Sequence, residues 1–194
     1  MSNKGYLMVM MEAPPALEEE FQAWYDTEHI PERLAVPGFE TGLRFVCLEG
    51  SPRYLAMYDL ADPQVLDSQD YLKVSFDQAS PWTKRVTSRV KVYRHAGEQI
   101  YPGQSLTGRA ARILLLRFRD QPAQAAATIS QAVVSAYGSL PQTNQVRVFR
   151  QSSSNGFDYF AMVEARAPID SPLQLDRLGA IASSLDLHNT YVGY

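Results

Sequence analysis

The sequence predicts an α+β protein built from two consecutive β-α-β-β-α-β units whose sheets pack against each other. Three observations lead there. Apolar runs of strand length alternate with stretches of helical periodicity, and the same order of elements occurs twice in 194 residues. A segment rich in turn residues, Gly97–Gly108, separates the two passes. A four-stranded sheet with both helices on one side also leaves its other face bare, and two such faces can cover each other.

The first element is the continuous apolar run Tyr6–Met11, held between Gly5 and Pro14-Pro15 and read as a strand. From Ala16 to Tyr25 the pattern turns helical. Leu17, Phe21, Trp24 and Tyr25 share one face, and Glu18, Glu19 and Glu20 near the start complement the helix dipole. Pro31 has no N–H and its ring crowds the carbonyl one turn back. The chain is therefore expected to break near His29 and to start a short second helix at Pro31, closed by Pro37-Gly38.

Phe39–Leu48 and Arg53–Leu60 read as a hairpin around Gly50-Ser51-Pro52. Alternation puts Leu43, Phe45 and Cys47 on one face and Arg44 with Val46 on the other, while Tyr54 and Tyr58 share a face of the partner strand. Asp62-Pro63 opens a second helical region carrying Val65, Leu66, Leu72 and Phe76, Ser80-Pro81-Trp82 starts a further turn, and Arg89–Arg94 is a strand.

The order then repeats. Arg112–Arg119 is a strand, and Pro122–Tyr137 an alanine-rich helix stopped by Gly138. Gln145–Gln151 and Phe157–Ala165 form a hairpin, Pro172–Leu185 a helix, and Leu187–Tyr194 the last strand. Each pass is the ferredoxin-like arrangement. We divide the chain into a first repeat at 1–97, a linker at 98–109 and a second repeat at 110–194.

Composition narrows the function classes. Net charge is -3 with the Lys and Arg residues scattered, which excludes the concentrated basic face a nucleic-acid partner needs. The single cysteine, Cys47, can make no intramolecular disulfide and suits a reducing compartment. The first apolar run is too short to span a membrane and no signal-peptidase pattern follows it, so a cytoplasmic protein without a membrane partner is expected. His, Cys, Asp and Glu show no zinc-like spacing, and there is no GxGxxG, P-loop or GxSxG, so neither a metal site nor a cofactor is expected.

The stretch Trp24-Tyr25-Asp26-Thr27-Glu28-His29-Ile30-Pro31-Glu32-Arg33-Leu34, followed by Val36-Pro37-Gly38-Phe39, resembles the EthD-like branch of the dimeric α/β-barrel proteins. The resemblance covers roughly Tyr6 to Arg94. The second half matches in order of elements alone and has no counterpart to the His29 stretch. It implies an intramolecular version of a barrel that single-repeat relatives close by dimerising, hence a monomer with an internal pseudo-dimer, or a homodimer of such chains. The superfamily includes lactone isomerases, polyketide cyclases, quinone-forming monooxygenases and haem-handling enzymes, so the fold does not choose among activities.

His29 is the leading candidate acid/base. At the start of a helix its imidazolium would be disfavoured, leaving a neutral base near pH 7, which Asp26 and Tyr25 could orient or share a proton with. The competing account is that His29 and Asp26 satisfy backbone groups freed by Pro31. Tyr54, Tyr58 and Arg44 could bind an aromatic ligand, or the tyrosines could be core aromatics. Trp82 is either a pocket wall or the apolar anchor of its helix. Arg89 and Arg94 could receive a carboxylate, although solvation is the default for unpaired arginines. His29 beside two acids and a proline is a poor axial ligand for haem.

Two functions follow from these residues. One is cofactor-independent proton transfer on a small hydrophobic carbonyl or aromatic compound. The other is non-catalytic binding of a small molecule.

Overall fold

The computed structural model describes residues 2–169 and 174–194. Its strands are β1 (Gly5–Glu12), β2 (Leu43–Glu49), β3 (Tyr54–Leu60), β4 (Lys91–Tyr101), β5 (Arg112–Gln121), β6 (Thr143–Ser153), β7 (Gly156–Ala165) and β8 (Leu185–Gly193). The helices are α1 (Glu18–Trp24), α2 (Ile30–Leu34), α3 (Gln69–Leu72), α4 (Pro81–Thr87), α5 (Ala125–Tyr137) and α6 (Leu175–Leu178). The strands close into one barrel in the order β1-β3-β2-β8-β5-β7-β6-β4, with every neighbouring pair antiparallel. Two of these pairings, β2 with β8 and β4 with β6, join the first half of the chain to the second.

The alternation along each strand sorts side chains into three packed layers. Tyr6, Met8 and Met10 of β1 point into the barrel, where they meet Phe45, Leu115, Phe149 and Phe160. Leu7, Val9 and Met11 point outward under α1, with Phe21, Trp24 and Tyr25. On the other half, Leu114, Leu116 and Phe118 of β5 lie beneath Ile129 and Val133 of α5. Because β1 is covered on both faces, its sequence is apolar without alternation.

A polar cluster is buried among these layers. Arg147 of β6, with no exposure, donates to Asp59 of β3 at 2.7 Å, to Glu164 of β7 at 2.9 Å and to the Thr107 hydroxyl at 2.6 Å. Asp59 also accepts from the Thr107 backbone N–H at 2.6 Å and from the Thr41 hydroxyl at 2.6 Å. The segment after β4 is thereby tied to strands of both halves.

The structure corrects several expectations. The chain does not break at His29. Residues 24–30 form a continuous helical path in which Tyr25–His29 is one π-helical turn, closed by the Ile30 N–H donating to the Tyr25 carbonyl. Dihedrals stay helical through His29 and Ile30, because the widened turn makes room for the Pro31 ring and its missing N–H. The helical region after β3 is a series of short pieces, started by side-chain caps from Asp62, Ser68 and Ser80. The last helix, expected over Pro172–Leu185, is α6 followed by a 3-10 segment at Gly179–Ser184. Residues 170–173 lie outside the described residues. Strand β4 runs past Arg94 to Tyr101, because its later residues pair with β6.

Candidate functional site

The π turn sets which side chains of the α1–α2 segment face which way. Tyr25, His29 and Arg33 form one row at i, i+4 spacing, all buried, and Tyr25 packs with the strand residues beneath. Asp26, Ile30 and Leu34 form the next row and line a cleft of about 700 Å³. The opposite wall is Gly42, Leu43, Arg44 and Phe45 of the β2 region. Arg109 at the end of the linker, with Ala110, Ala111, Gly193 and Tyr194, completes it.

Arg44 is the polar centre of this cleft. Its Nη1 donates to Asp26 Oδ1 at 2.5 Å and its Nη2 donates to Gln22 Oε1. The guanidinium lies between two rings, 4.4 Å from the Tyr25 centroid and 4.1 Å from that of Tyr194. The Tyr194 backbone N–H donates to the Arg44 carbonyl at 3.0 Å, fixing the outer ring.

Two further polar side chains, Tyr58 and His29, are buried in the layer that holds Trp24 and Tyr25. A Cβ on Gly42 would sit 3.3 Å from both the Tyr58 ring and Leu34 Cδ2, so that ring is the layer immediately beneath. The Tyr58 hydroxyl is buried and has no hydrogen-bond partner, and neither has His29 Nδ1. The His29 ring is packed against Trp24 at 4.3 Å and meets the Tyr25 ring edge-on at 5.3 Å. Burial first, then the Arg33 and Arg44 charges, pull its imidazole down to about 3. It is therefore neutral across the physiological range for a reason other than the expected helix end. Burial likewise holds the Tyr25 and Tyr58 phenols protonated, with their ionisation pushed well up. Tyr25 spends its O–H on a weak acceptor, Met11 Sδ, at 3.5 Å.

No family model and no curated protein matches the sequence. Solved structures do. An anthrone oxidase-like protein superposes with TM-score 0.67 at 10% identity, over 100% of this chain and 92% of that one. A chlorite dismutase variant from Candidatus Nitrospira defluvii in complex with cyanide gives 0.64 at 8%, over 100% and 91%. A haem-binding protein from Thermus thermophilus gives 0.58 at 8%, over 100% and 92%. The chain has the dimeric α/β-barrel fold. At such identities the likeness speaks for the fold alone.

Because that fold includes haem proteins, the fit of haem to these residues matters. The described histidines, Cys47 and the methionines, which could bind the iron, all lie outside the lining of the cleft. His29 is wedged between rings, while the His95 ring lies 4.7 Å from Phe160 and its Nδ1 is 3.2 Å from Gln151 Oε1. The cleft does not fit haem held through these residues. Among the described residues, no group of three or more His, Cys, Asp or Glu could hold a metal ion.

The predicted site residues are thus divided. Asp26 and Arg44 meet in the cleft, Tyr25 packs under Arg44 and Tyr58 behind Gly42, and His29 is buried against Trp24 and Tyr25. Asp26 does not orient His29 as expected, since the π turn places it in the neighbouring row, where it binds Arg44. Tyr54 is elsewhere under α1, its hydroxyl donating to Glu18. Trp82 is partly buried against the cluster under α1 and is not among the residues that line the cleft. Arg94 donates to the Tyr71 hydroxyl at 3.4 Å. The sequence reading missed Arg109 and Tyr194. Arg109 lies in a segment that reads locally as linker, and only its place beside Ala110-Ala111 at the mouth of the second half hinted otherwise.

Proposed function

We propose that this chain is a cofactor-independent enzyme of the EthD-like type, acting by proton transfer on a small hydrophobic carbonyl or aromatic compound. The observation that supports it is two buried polar atoms without partners: the Tyr58 hydroxyl, whose ring lies behind Gly42 of the cleft, and His29 Nδ1, on the helical segment whose neighbouring row lines the cleft. Leaving such atoms unpaired costs about 1–3 kcal/mol each, a cost that a ligand supplying an acceptor and a donor would remove. In this reading His29 takes a proton α to a carbonyl and the Tyr58 hydroxyl donates to the enolate oxygen. Asp26 holds Arg44.

At rest, an imidazole pulled down to about 3 is a weak base. The same two guanidinium charges that oppose the imidazolium also favour an enolate, and the enolate in turn favours the imidazolium. The fields of Arg33 and Arg44 thus act on the substrate's acidity as well as on the base.

The test is solvent deuterium uptake at the α-carbon across a panel of aromatic ketones and lactones, followed by NMR. The His29→Ala variant should lose uptake by about 100-fold or more while keeping its fold. Uptake at the wild-type rate in that variant would remove the mechanism.

A second reading, non-catalytic binding, is favoured by one feature: Leu34 and Gly42 stand between the cleft and the Tyr58 ring. A ligand could then stay in the cleft while water serves the buried pair. Binding that survives His29→Ala, without turnover of any bound compound, would select it. The affiliation to the EthD-like branch is supported by the 24–39 stretch. The division into repeats at 1–97 and 110–194 is supported by the repeated order of elements around the barrel.

A further inference from the structure

We propose that the cleft selects flat aromatic monoanions, carboxylates in particular, with Arg109 as the anchoring charge. This rests on the cleft being the ligand site of the function proposed above, and it names the class of compound that site takes.

The charge balance of the lining comes first. Two guanidinium groups, Arg44 and Arg109, face one carboxylate, Asp26. Asp26 is already bound to Arg44 at 2.5 Å. Arg109 is exposed and makes no hydrogen bond or ion pair among the described residues. Among the side chains that line the cleft, Arg109 is thus the cation without a paired acid. The chain as a whole carries a net charge of -3, so this local sign runs against the molecule's own.

The walls give the shape. Ile30, Pro31, Leu34 and Leu43 supply apolar surface. Tyr194, 57% exposed, keeps one ring face on Arg44, which leaves the other free to stack against a planar ligand. At about 700 Å³ the space suits a ligand of one or two fused rings. An arginine fork receives a carboxylate bidentately, which an amide or alcohol of equal size cannot match.

The probes are cinnamate and cinnamamide, a charged and a neutral compound of the same outline, titrated calorimetrically into the full chain. Cinnamate should bind about tenfold tighter or more. Arg109→Gln should erase that difference and leave cinnamamide affinity where it was. Rising salt should narrow the gap in the wild type. Equal affinity for the two probes, no binding of either, or a gap that persists in Arg109→Gln would each overturn the proposal. Its failure is separable from that of the enzymatic reading. Charge-selective binding without deuterium uptake by any ketone removes only the latter, and uptake without charge selectivity removes only the former.

Discussion

Arg147 and Asp59 lie 88 positions apart in sequence and 2.7 Å apart in space, both without exposure, and they link a strand of the first half to one of the second. Arg147 also binds Glu164, so one cation faces two acids inside the protein. Removing the cation alone should cost far more than the pair itself is worth, because it strands buried carboxylates. Arg147→Met should lower stability by roughly 3–5 kcal/mol, read as the shift in urea midpoint. Replacing Asp59 and Glu164 by apolar residues in the same chain should recover much of that loss.

The Tyr58 hydroxyl offers the opposite trade. It is buried without a partner, so Tyr58→Phe should leave the melting temperature unchanged or raise it. Under the proposed function the same substitution should slow deuterium uptake by about tenfold or more. Loss of stability with unchanged uptake would show that the hydroxyl serves the fold.

Low pH should weaken the fold before the carboxylates titrate. His29 is held neutral, its ionisation down at about 3 from an ordinary 6.5, and His95 is held at about 4, chiefly by burial. Between about pH 6.5 and 4.5 the unfolded chain therefore binds protons at these sites that the folded one does not, so stability rises with pH across that window. His29→Asn should flatten the slope of the urea midpoint against pH in that range. An unchanged slope would place the imidazole in contact with solvent.

Gly42 gives a way to separate the cleft from the buried Tyr58 hydroxyl. A methyl there would come within 3.3 Å of the Tyr58 ring and of Leu34, whose end can give by a few tenths of an ångström. Gly42→Ala should change stability by less than about 1 kcal/mol, preserve cinnamate binding and reduce deuterium uptake. Equal loss of both functions would show that ligand binding and deuterium uptake share one site.

How far the sequence could be read depended on the range of the forces involved. Strand and helix order is a local pattern, and the runs at Tyr6–Met11 and Arg112–Arg119 carried it. The π turn at Tyr25–His29 was out of reach, because the rule for Pro31 describes an isolated helix while packing of Trp24 and Tyr25 on the sheet holds this one together. Arg147 was equally hidden. In Val146-Arg147-Val148 an alternating charge reads as a solvent face, and only barrel closure turns that face inward. Asp26, Arg44 and Tyr58 were singled out from spacing and face, though not for the contacts they make. Tyr194 reaches Arg44 through the β2–β8 pairing, and Arg109 joins the same lining from the segment before β5, neither of which leaves a mark in the local sequence.

A ring of strands closed within one polypeptide also frees its halves from copying each other. In an assembly of identical subunits every substitution appears twice, so a side chain useful on one flank must be tolerated on the other. Here the flank under α1 keeps an imidazole and an unpaired phenol oxygen, whereas the flank under α5 is filled largely with Leu, Ile, Val and Phe. One side can keep polar atoms without partners while the other is packed with apolar side chains.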